Sequence, residues 1–599
     1  IDSDAMTNSN GAVLSRDELT LLLDEIYETI STDGLNKLIP GRKGGSKLAN
    51  RRQEHRVLVF KDADAWLAMA DKYGKPDLFS TMTDHLRSMS HDIALLEILG
   101  PNPNAAFRYL EDVTRKDGAK ALARNFNESL FNVVNGNVER NASPKLAEFS
   151  DAVRSWLVAG KLGSATLSAV SDIGFVGTTA RWNGIPFVKI AQQALAQMNP
   201  ANEADRILAT KMGLTALQWG HSMTTAQRWS EITGRGVAGR FAEGVLRASG
   251  LTAWTDGWKR AFGMEFFGVL GDQMDRPLSE VAERTRMAME SYGIDADMWD
   301  QIRAGRPLEH NGAKYLSVED IMNRQDLPIA RREELTSRLQ EMVLTETNFA
   351  VPEPDARARV FTSGEFLFGT GARGTFGGEF GRGMFQFKGF PVSALLLHVF
   401  RATNAKGGPM TPLAYTAQVV IATTLLGGLA VQLKDISKGK NPRPINLPGT
   451  MIPDPKFWAA ALIQGGGLGV MGDFLYSDVN RFGSGPVSTL AGPFVDLADD
   501  TLKLTLGQLW DVGSGRDMNL VRDVVDYSSR YFPGGSLWFF RSLFKRELLD
   551  QIQLMGDPEA RLRFRRRERK RAREYNQTSW WRSGERLPRE APQIEEAVK

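Results

Sequence analysis

In the stretch Ser15-Arg16-Asp17-Glu18-Leu19-Thr20-Leu21-Leu22-Leu23-Asp24-Glu25-Ile26-Tyr27-Glu28-Thr29-Ile30, a hydroxyl is followed three residues later by a carboxylate. Ser15 and Glu18 make a capping box, in which each side chain serves the other residue's backbone N–H. Behind it Leu19, Leu22, Leu23, Ile26 and Ile30 fall on one helical face. The same pattern recurs outward. Asp62 opens a helix carrying Trp66, Leu67, Ala70 and Tyr73 that Gly74 closes, and Met82, Leu86, Met89, Ile93 and Leu96 form another that ends at Gly100-Pro101. Helical periodicity extends to about Asn348, and Val57-Leu58-Val59-Phe60 is the one early strand candidate. Near the other end Leu537, Phe540, Phe544, Leu548, Ile552 and Met555 share a face. Gly556 stops that helix, and Asp557-Pro558 starts the next with an N-cap and a proline at N1. The expected fold class is predominantly all-α: an extended multi-helix architecture with Gly-rich breaks and a membrane-like hydrophobic segment.

The breaks set the expected organisation. Eight glycines lie between Gly364 and Gly383, and eight phenylalanines between Phe361 and Phe390. Each internal glycine costs a helix roughly 1 kcal/mol relative to alanine, so this stretch is expected not to form a regular helix. It suits a hinge or close-packed loop whose aromatics dock elsewhere, either within the fold or on a partner. Beyond it no charge occurs for 27 residues, Gly407 to Leu433, between Lys406 and Lys434. About 20 apolar residues suffice to cross a bilayer core, although Gln418, Gln432, several threonines and Gly427-Gly428 dilute the hydrophobicity. A second uncharged run, Phe457 to Gly472, has 16 residues and suits a re-entrant or interfacial piece. The two runs read either as a buried core helix pair or as a segment that inserts conditionally into membrane. Five segments follow: 1–55, an N-terminal helix and basic loop; 56–360, α-helical; 361–400, the Gly/Phe-rich hinge; 401–535, hydrophobic; and 536–599, amphipathic and Arg-rich helices with a tail.

Composition narrows the function classes. At 42% hydrophobic and 24% charged residues, the 599-residue chain is ordinary globular material and long enough for several domains or one very extended architecture. It has no cysteine, which removes disulfide frameworks, thiolate catalysis, zinc ribbons and iron–sulfur ligation. It opens Ile1-Asp2-Ser3 without an initiator Met, as a fragment or processed product would, and no secretory signal is visible. The net charge of +3 conceals a run from Arg561 to Arg573 with nine basic residues and one acid, Glu568. Arg561, Arg563, Arg565, Arg566, Arg567, Arg569, Lys570, Arg571 and Arg573 are candidates for nucleic-acid or lipid-headgroup contact, a solvated basic face being the alternative. A weaker cluster comprises Lys37, Arg42, Lys43, Lys47, Arg51, Arg52 and Arg56. Trp580 and Trp581, amphipathic rings beside cations, suit a headgroup layer or base stacking. With Val419, Val420, Ile421, Leu425, Leu426 and Leu429 they are the membrane-contact candidates.

Catalytic patterns are weak. Three GxGxxG matches, Gly234/Gly236/Gly239, Gly369/Gly371/Gly374 and Gly467/Gly469/Gly472, lack the strand before and helix after that a dinucleotide site needs, and 58 glycines make chance matches expected. Gly44-Gly45-Ser46-Lys47 is not a Walker A loop, and there is no GxSxG elbow. His85 and His91, six residues apart on one helix, cannot share an ion, and His55, His221, His310 and His398 are isolated. Glu128-Ser129 resembles the start of a lytic transglycosylase site, with Glu128 as acid, yet the Gly-Leu-Met-Gln-like segment such domains carry is missing nearby. The expectation is a non-enzyme with no cofactor and no metal.

Several phrases in order carry a resemblance: Val57-Leu58-Val59-Phe60, Asp64-Ala65-Trp66, Tyr73-Gly74, His91-Asp92-Ile93-Ala94-Leu95-Leu96-Glu97, Gly100-Pro101-Asn102-Pro103, Gly163-Ser164-Ala165, Ser171-Asp172 and Ser249-Gly250-Leu251-Thr252-Ala253-Trp254-Thr255. Met384-Phe385-Gln386-Phe387-Lys388-Gly389-Phe390-Pro391, Asp557-Pro558-Glu559-Ala560, Trp580-Trp581, Gly584-Glu585 and Pro588 complete it. Together they resemble the large internal virion, or DNA-ejection, proteins of short-tailed bacteriophages and prophages. The resemblance implies a protein packed in the virion interior and ejected into the host cell envelope. There it would form part of a trans-envelope channel for genome delivery, across the periplasm and inner membrane. Homo-oligomerisation, other ejection, portal or tail proteins, phage DNA and the host inner membrane are the partners so implied. Some members carry a muralytic domain upstream, which here would lie before Ile1. The alternative is a purely structural capsid-interior or portal-core protein that does not contact membrane.

Overall fold

The computed structural model describes residues 6, 12–31, 60–73, 78–118, 121–136, 138, 142–199, 202–214, 237–364, 373–404, 408–465, 486–502, 504–505 and 520–594. The chain is predominantly α-helical. The only paired strands among the described residues are Leu308–His310 and Ala313–Tyr315, a hairpin turned by Asn311 and Gly312, both at positive φ. An Asn-Gly pair accepts that left-handed turn at low cost. Residues 57–59 of the strand candidate Val57–Phe60, the basic cluster of residues 37–56 and the GxGxxG glycines at 234, 236, 369, 371, 467, 469 and 472 lie outside the described residues, as do His55, His221 and Gly74.

The chain divides into two units, residues 1–148 with 363–379, and residues 149–362 with 380–599. In the first, the capping box forms as read. The Ser15 N–H donates to Glu18 Oε2 at 2.8 Å and the Glu18 N–H to Ser15 Oγ at 3.3 Å, and the helix runs Arg16–Ser31. Asp62 Oδ1 likewise accepts the Ala65 N–H at 2.7 Å and starts Ala63–Tyr73. Helices Leu78–Leu99, Pro103–Lys116 and Ala121–Val134 meet through Phe107 stacked on Phe131 at 4.1 Å, and through His91 Nε2, 2.6 Å from the Val134 carbonyl oxygen. Among the described residues buried side chains are few here, and Met82, Leu86 and Ile93 keep their shared face but turn it to solvent.

The second unit holds the main core. Helix Leu251–Gly271 passes between Phe187–Met198 and Ile329–Ala350, burying Phe262, Phe266 and Phe267 with Trp299 beside them. Each such phenylalanine contributes roughly 1.5–3 kcal/mol by leaving water. A second cluster joins Leu157, Phe175, Phe387, Phe390, Tyr415 and Tyr531. Between the clusters Glu346 is buried. It accepts from Asn183 Nδ2 at 2.6 Å and Tyr292 Oη at 2.9 Å and pairs with Arg401, whose guanidinium also lies over the Phe349 ring.

Two expectations are corrected. The Gly/Phe-rich stretch contains regular helix after all, Phe376–Phe385 followed by Gly389–Thr403. Close packing outweighs propensity at one of its glycines, since a Cβ on Gly383 would sit 2.8 Å from Phe494. Residues 365–372 of that stretch lie outside the described ones. The face predicted from Leu537 to Met555 is also broken. A π-helical stretch, Phe544–Leu549, follows the short helix Arg541–Leu543. An i→i+5 turn rotates the following residues relative to an α-helix. Phe544 and Leu549 are therefore buried, while Leu548, Ile552 and Met555 face outward.

Candidate functional site

The uncharged run becomes one helix, Pro412–Ile436, started by Thr411, whose Oγ1 accepts the Ala414 N–H at 3.3 Å. It is the one described helix long and apolar enough to cross a membrane, with a mean hydropathy of 1.6 over its most apolar 18 residues. Small residues set its packing. A Cβ on Gly427 would meet the Ala461 carbonyl oxygen at 2.1 Å, and one on Gly465 the Thr423 carbonyl oxygen at 2.0 Å, so this crossing with helix Pro455–Gln464 is nearly backbone on backbone. Gly174, on helix Ile173–Asn183, makes a similar approach to Thr423. Tyr415, Val419, Thr423, Gly427, Val431 and Asp435 are accordingly buried.

The opposite side is uncovered. Leu413, Ile421, Leu425 and Leu429 are 81%, 60%, 57% and 41% exposed, with exposed Ala417 completing an i, i+4 stripe along four turns. Of the membrane-contact candidates on this helix, Ile421, Leu425 and Leu429 lie on that stripe, Val420 and Leu426 are half-buried at its margins, and Val419 is core. Leu395 and Val399 of the neighbouring helix Gly389–Thr403 are exposed as well. They border a small apolar cleft of about 70 Å³ floored by His398, Tyr415 and Val419. His398 Nδ1 lies 2.7 Å from Tyr415 Oη, and burial, with Arg401 nearby, pushes the imidazole down to about 3. Of the second uncharged run, residues 457–464 form part of the inner partner helix and residues 466–472 lie outside the described ones.

At its C-terminal end the apolar helix carries a buried carboxylate. Asp435 accepts from Arg443 Nε at 2.6 Å and Gln577 Nε2 at 3.0 Å, with Lys440 Nζ at 3.4 Å. Burial pushes the Lys440 ammonium down to about 8 against the pull of Asp435. Both tryptophans are engaged here. Trp580 Nε1 donates to the Ile436 carbonyl at 3.1 Å, satisfying an acceptor in the helix's last turn, and Trp581, 8% exposed, donates from Nε1 to the Glu585 carbonyl at 2.9 Å. Trp580 thus ties the tail to this helix end, and the Trp581 backbone N–H donates to the Gly439 carbonyl at 3.0 Å just beyond it.

The arginine run forms helix Ala560–Tyr575, with Asp557 accepting the Glu559 N–H at 3.1 Å just before it. The helix starts two residues later than its sequence suggests. Its inner face seats Ala560 and Phe564. Arg563 pairs with Asp557, and half-buried Arg571 feels Asp435, which offsets part of the cost of burying its charge. The other cations point out. Arg566, Arg569, Lys570 and Arg573 line one surface hollow with Glu574, and Arg561, Arg565 and Arg567 are exposed too. Only Lys570 of these seven has an ion-pair partner among the described residues, Glu574 at 3.6 Å.

The remaining candidates stay apart. Glu128 is an exposed residue on helix Ala121–Val134, and His310 Nε2 lies 2.8 Å from Asp205 Oδ1. Among the described residues no three His, Asp or Glu side chains are grouped to hold a metal. Comparisons with protein-family models, curated proteins and solved structures find no match for the chain.

Proposed function

We propose that the chain is a non-catalytic internal virion protein of the ejection type, delivered into the host envelope as part of a channel for genome passage. The observation that carries this reading is the apolar helix itself. One face is welded to the protein through glycines, and the other offers a continuous aliphatic stripe that water does not reward. Lipid would cover such a stripe without disturbing the packed face. The outward cations of Ala560–Tyr575 suit an anionic leaflet after release, or DNA phosphates before it. A chain with no cysteine also has no crosslink to break if it must unfold in transit. The packing of Val419, Thr423 and Gly427 into the core supports the second reading, a capsid-interior structural protein whose stripe is covered by protein.

Ile421→Asp with Leu425→Asp separates the two. Both side chains are exposed, so helicity and thermal stability should stay near wild type while dye release from anionic vesicles falls about tenfold or more, given the cost of burying a carboxylate in lipid. Unchanged dye release would remove this helix from the channel.

A further inference from the structure

Between Arg443 and Asp454 the chain has no charge: Pro444-Ile445-Asn446-Leu447-Pro448-Gly449-Thr450-Met451-Ile452-Pro453. It folds into a closed finger. The Leu447 N–H donates to the Ile452 carbonyl at 2.8 Å and the Asp454 N–H to the Ile445 carbonyl at 3.0 Å, with Asn446 and Pro453 bridged between them. At the tip the Thr450 N–H reaches the Leu447 carbonyl at 3.0 Å around Pro448-Gly449, with Gly449 at φ 71°, as a type II turn demands of its third residue. The tip is apolar and uncovered. Met451 is 90% exposed, Ile452 60% and Leu447 38%. Leu447, Met451 and Ile452 are thus grouped at one hydrogen-bonded, proline-closed tip rather than scattered singly over the surface.

The root of the finger is held against the end of the arginine helix. Gln432 clamps the Arg443 backbone, accepting its N–H at 2.7 Å and donating to its carbonyl at 2.7 Å, and Trp458 Nε1 holds the Ile445 carbonyl at 3.2 Å. Lys456, two residues beyond the finger, donates to the Glu574 carbonyl at 3.1 Å, and the Arg443 guanidinium lies 4.8 Å from the Tyr575 ring centroid. The last turn of the arginine helix, with Arg573 and the row Arg566, Arg569 and Lys570 behind it, therefore starts where the finger starts.

We propose that the finger and this cationic row together form a docking site for an anionic phospholipid bilayer, the tip entering the acyl boundary while the row engages headgroup phosphates. The row supplies the charge complementarity and the finger the apolar insertion, and two weak signals joined at one hydrogen-bonded base are what stable peripheral attachment requires. DNA would satisfy the cations but has no use for Met451 and Ile452, which favours lipid. The proline-closed turn is already in its inserted shape, so little chain entropy is lost on binding. The site presupposes the membrane reading above but uses none of the exposed residues of helix Pro412–Ile436.

The chain contains no cysteine, so Met451→Cys in the intact 599-residue chain accepts a single environment-sensitive fluorophore at the tip. On vesicles of phosphatidylcholine with phosphatidylglycerol the emission should shift to the blue, and on phosphatidylcholine alone it should shift far less. Arg566→Glu with Arg569→Glu and Arg573→Glu, in the labelled chain, should weaken partitioning by about tenfold or more. Met451→Asp with Ile452→Asp should do the same, with circular dichroism unchanged. An unshifted label on anionic vesicles that still float the protein overturns the finger and leaves the apolar helix as the contact. If charge reversal instead weakens duplex DNA binding while vesicle partitioning is untouched, the row is a DNA contact and the bilayer site is overturned. A shifted label in a protein that releases no dye supports the finger while the channel reading fails.

Discussion

Asp435 sits in the last turn of a helix otherwise fit for lipid, yet it is 1% exposed and gathers Arg443, Lys440 and Gln577 around one carboxylate. Removing one partner of a buried ion pair leaves the rest uncompensated, at a cost of about 3–5 kcal/mol. Asp435→Ala should therefore lower the urea midpoint substantially and free the tail that Gln577 and Trp580 pin down. A midpoint within error of wild type would contradict that role. His398 makes a second residue-scale case. Its imidazole falls to about 3 in the fold from an ordinary value near 6.5, because burial disfavours the charged form. Between those values the unfolded chain binds the proton and the folded chain does not, so stability should decline as pH drops from about 6.5 toward 3. His398→Asn, which keeps a polar side chain facing Tyr415 but cannot titrate, should flatten that slope in urea titrations across the window. An unaltered slope would assign the acid sensitivity to other groups.

At the scale of elements, glycine has two opposite meanings in this chain. Gly427 lies where helices Pro412–Ile436 and Pro455–Gln464 touch backbone to backbone, and an added Cβ would collide with Ala461. Gly427→Ala should destabilise by about 1–3 kcal/mol through overpacking. Gly244, exposed in helix Val237–Ala248 with nothing within 4 Å of the place a Cβ would take, should instead gain up to roughly 1 kcal/mol from Gly244→Ala. Thermal unfolding of the two variants should move in opposite directions, and a shared sign would contradict the crossing geometry. The same distinction marks what was legible in sequence. Capped amphipathic helices such as Arg16–Ser31 announce themselves because both signals are local. The helix Phe376–Phe385 does not, since what favours it includes Phe494, more than a hundred residues away. The π-helical turn at Phe544–Leu549 likewise leaves no periodic trace, and it turns Leu548 and Ile552 out of an apparently continuous face. The Asn311-Gly312 hairpin carries a local signal that helical periodicity around it obscures. In the candidate site, length and lack of charge reveal the apolar helix. Which of its sides faces outward depends on the glycine crossings, and the inward turn of Arg571 and Trp580 depends on Asp435 and the Ile436 carbonyl, more than a hundred residues away.

For the whole molecule, the second unit places an aliphatic stripe, an outward cationic row and a proline-closed apolar finger on elements tied together around Asp435. The proposed function requires that the stripe be covered by lipid rather than by protein. Salt distinguishes the attachments, because headgroup contact by arginines weakens as ionic strength shortens the Debye length from about 10 Å at 0.1 M to about 3 Å at 1 M, whereas apolar insertion does not. The most direct measurement is flotation of the intact chain with anionic vesicles at low and at high salt, with dye release followed in parallel. Flotation that survives high salt, accompanied by dye release, is the predicted result. A chain that stays at the bottom of the gradient at both salt concentrations would contradict the account and leave the stripe as a protein–protein surface.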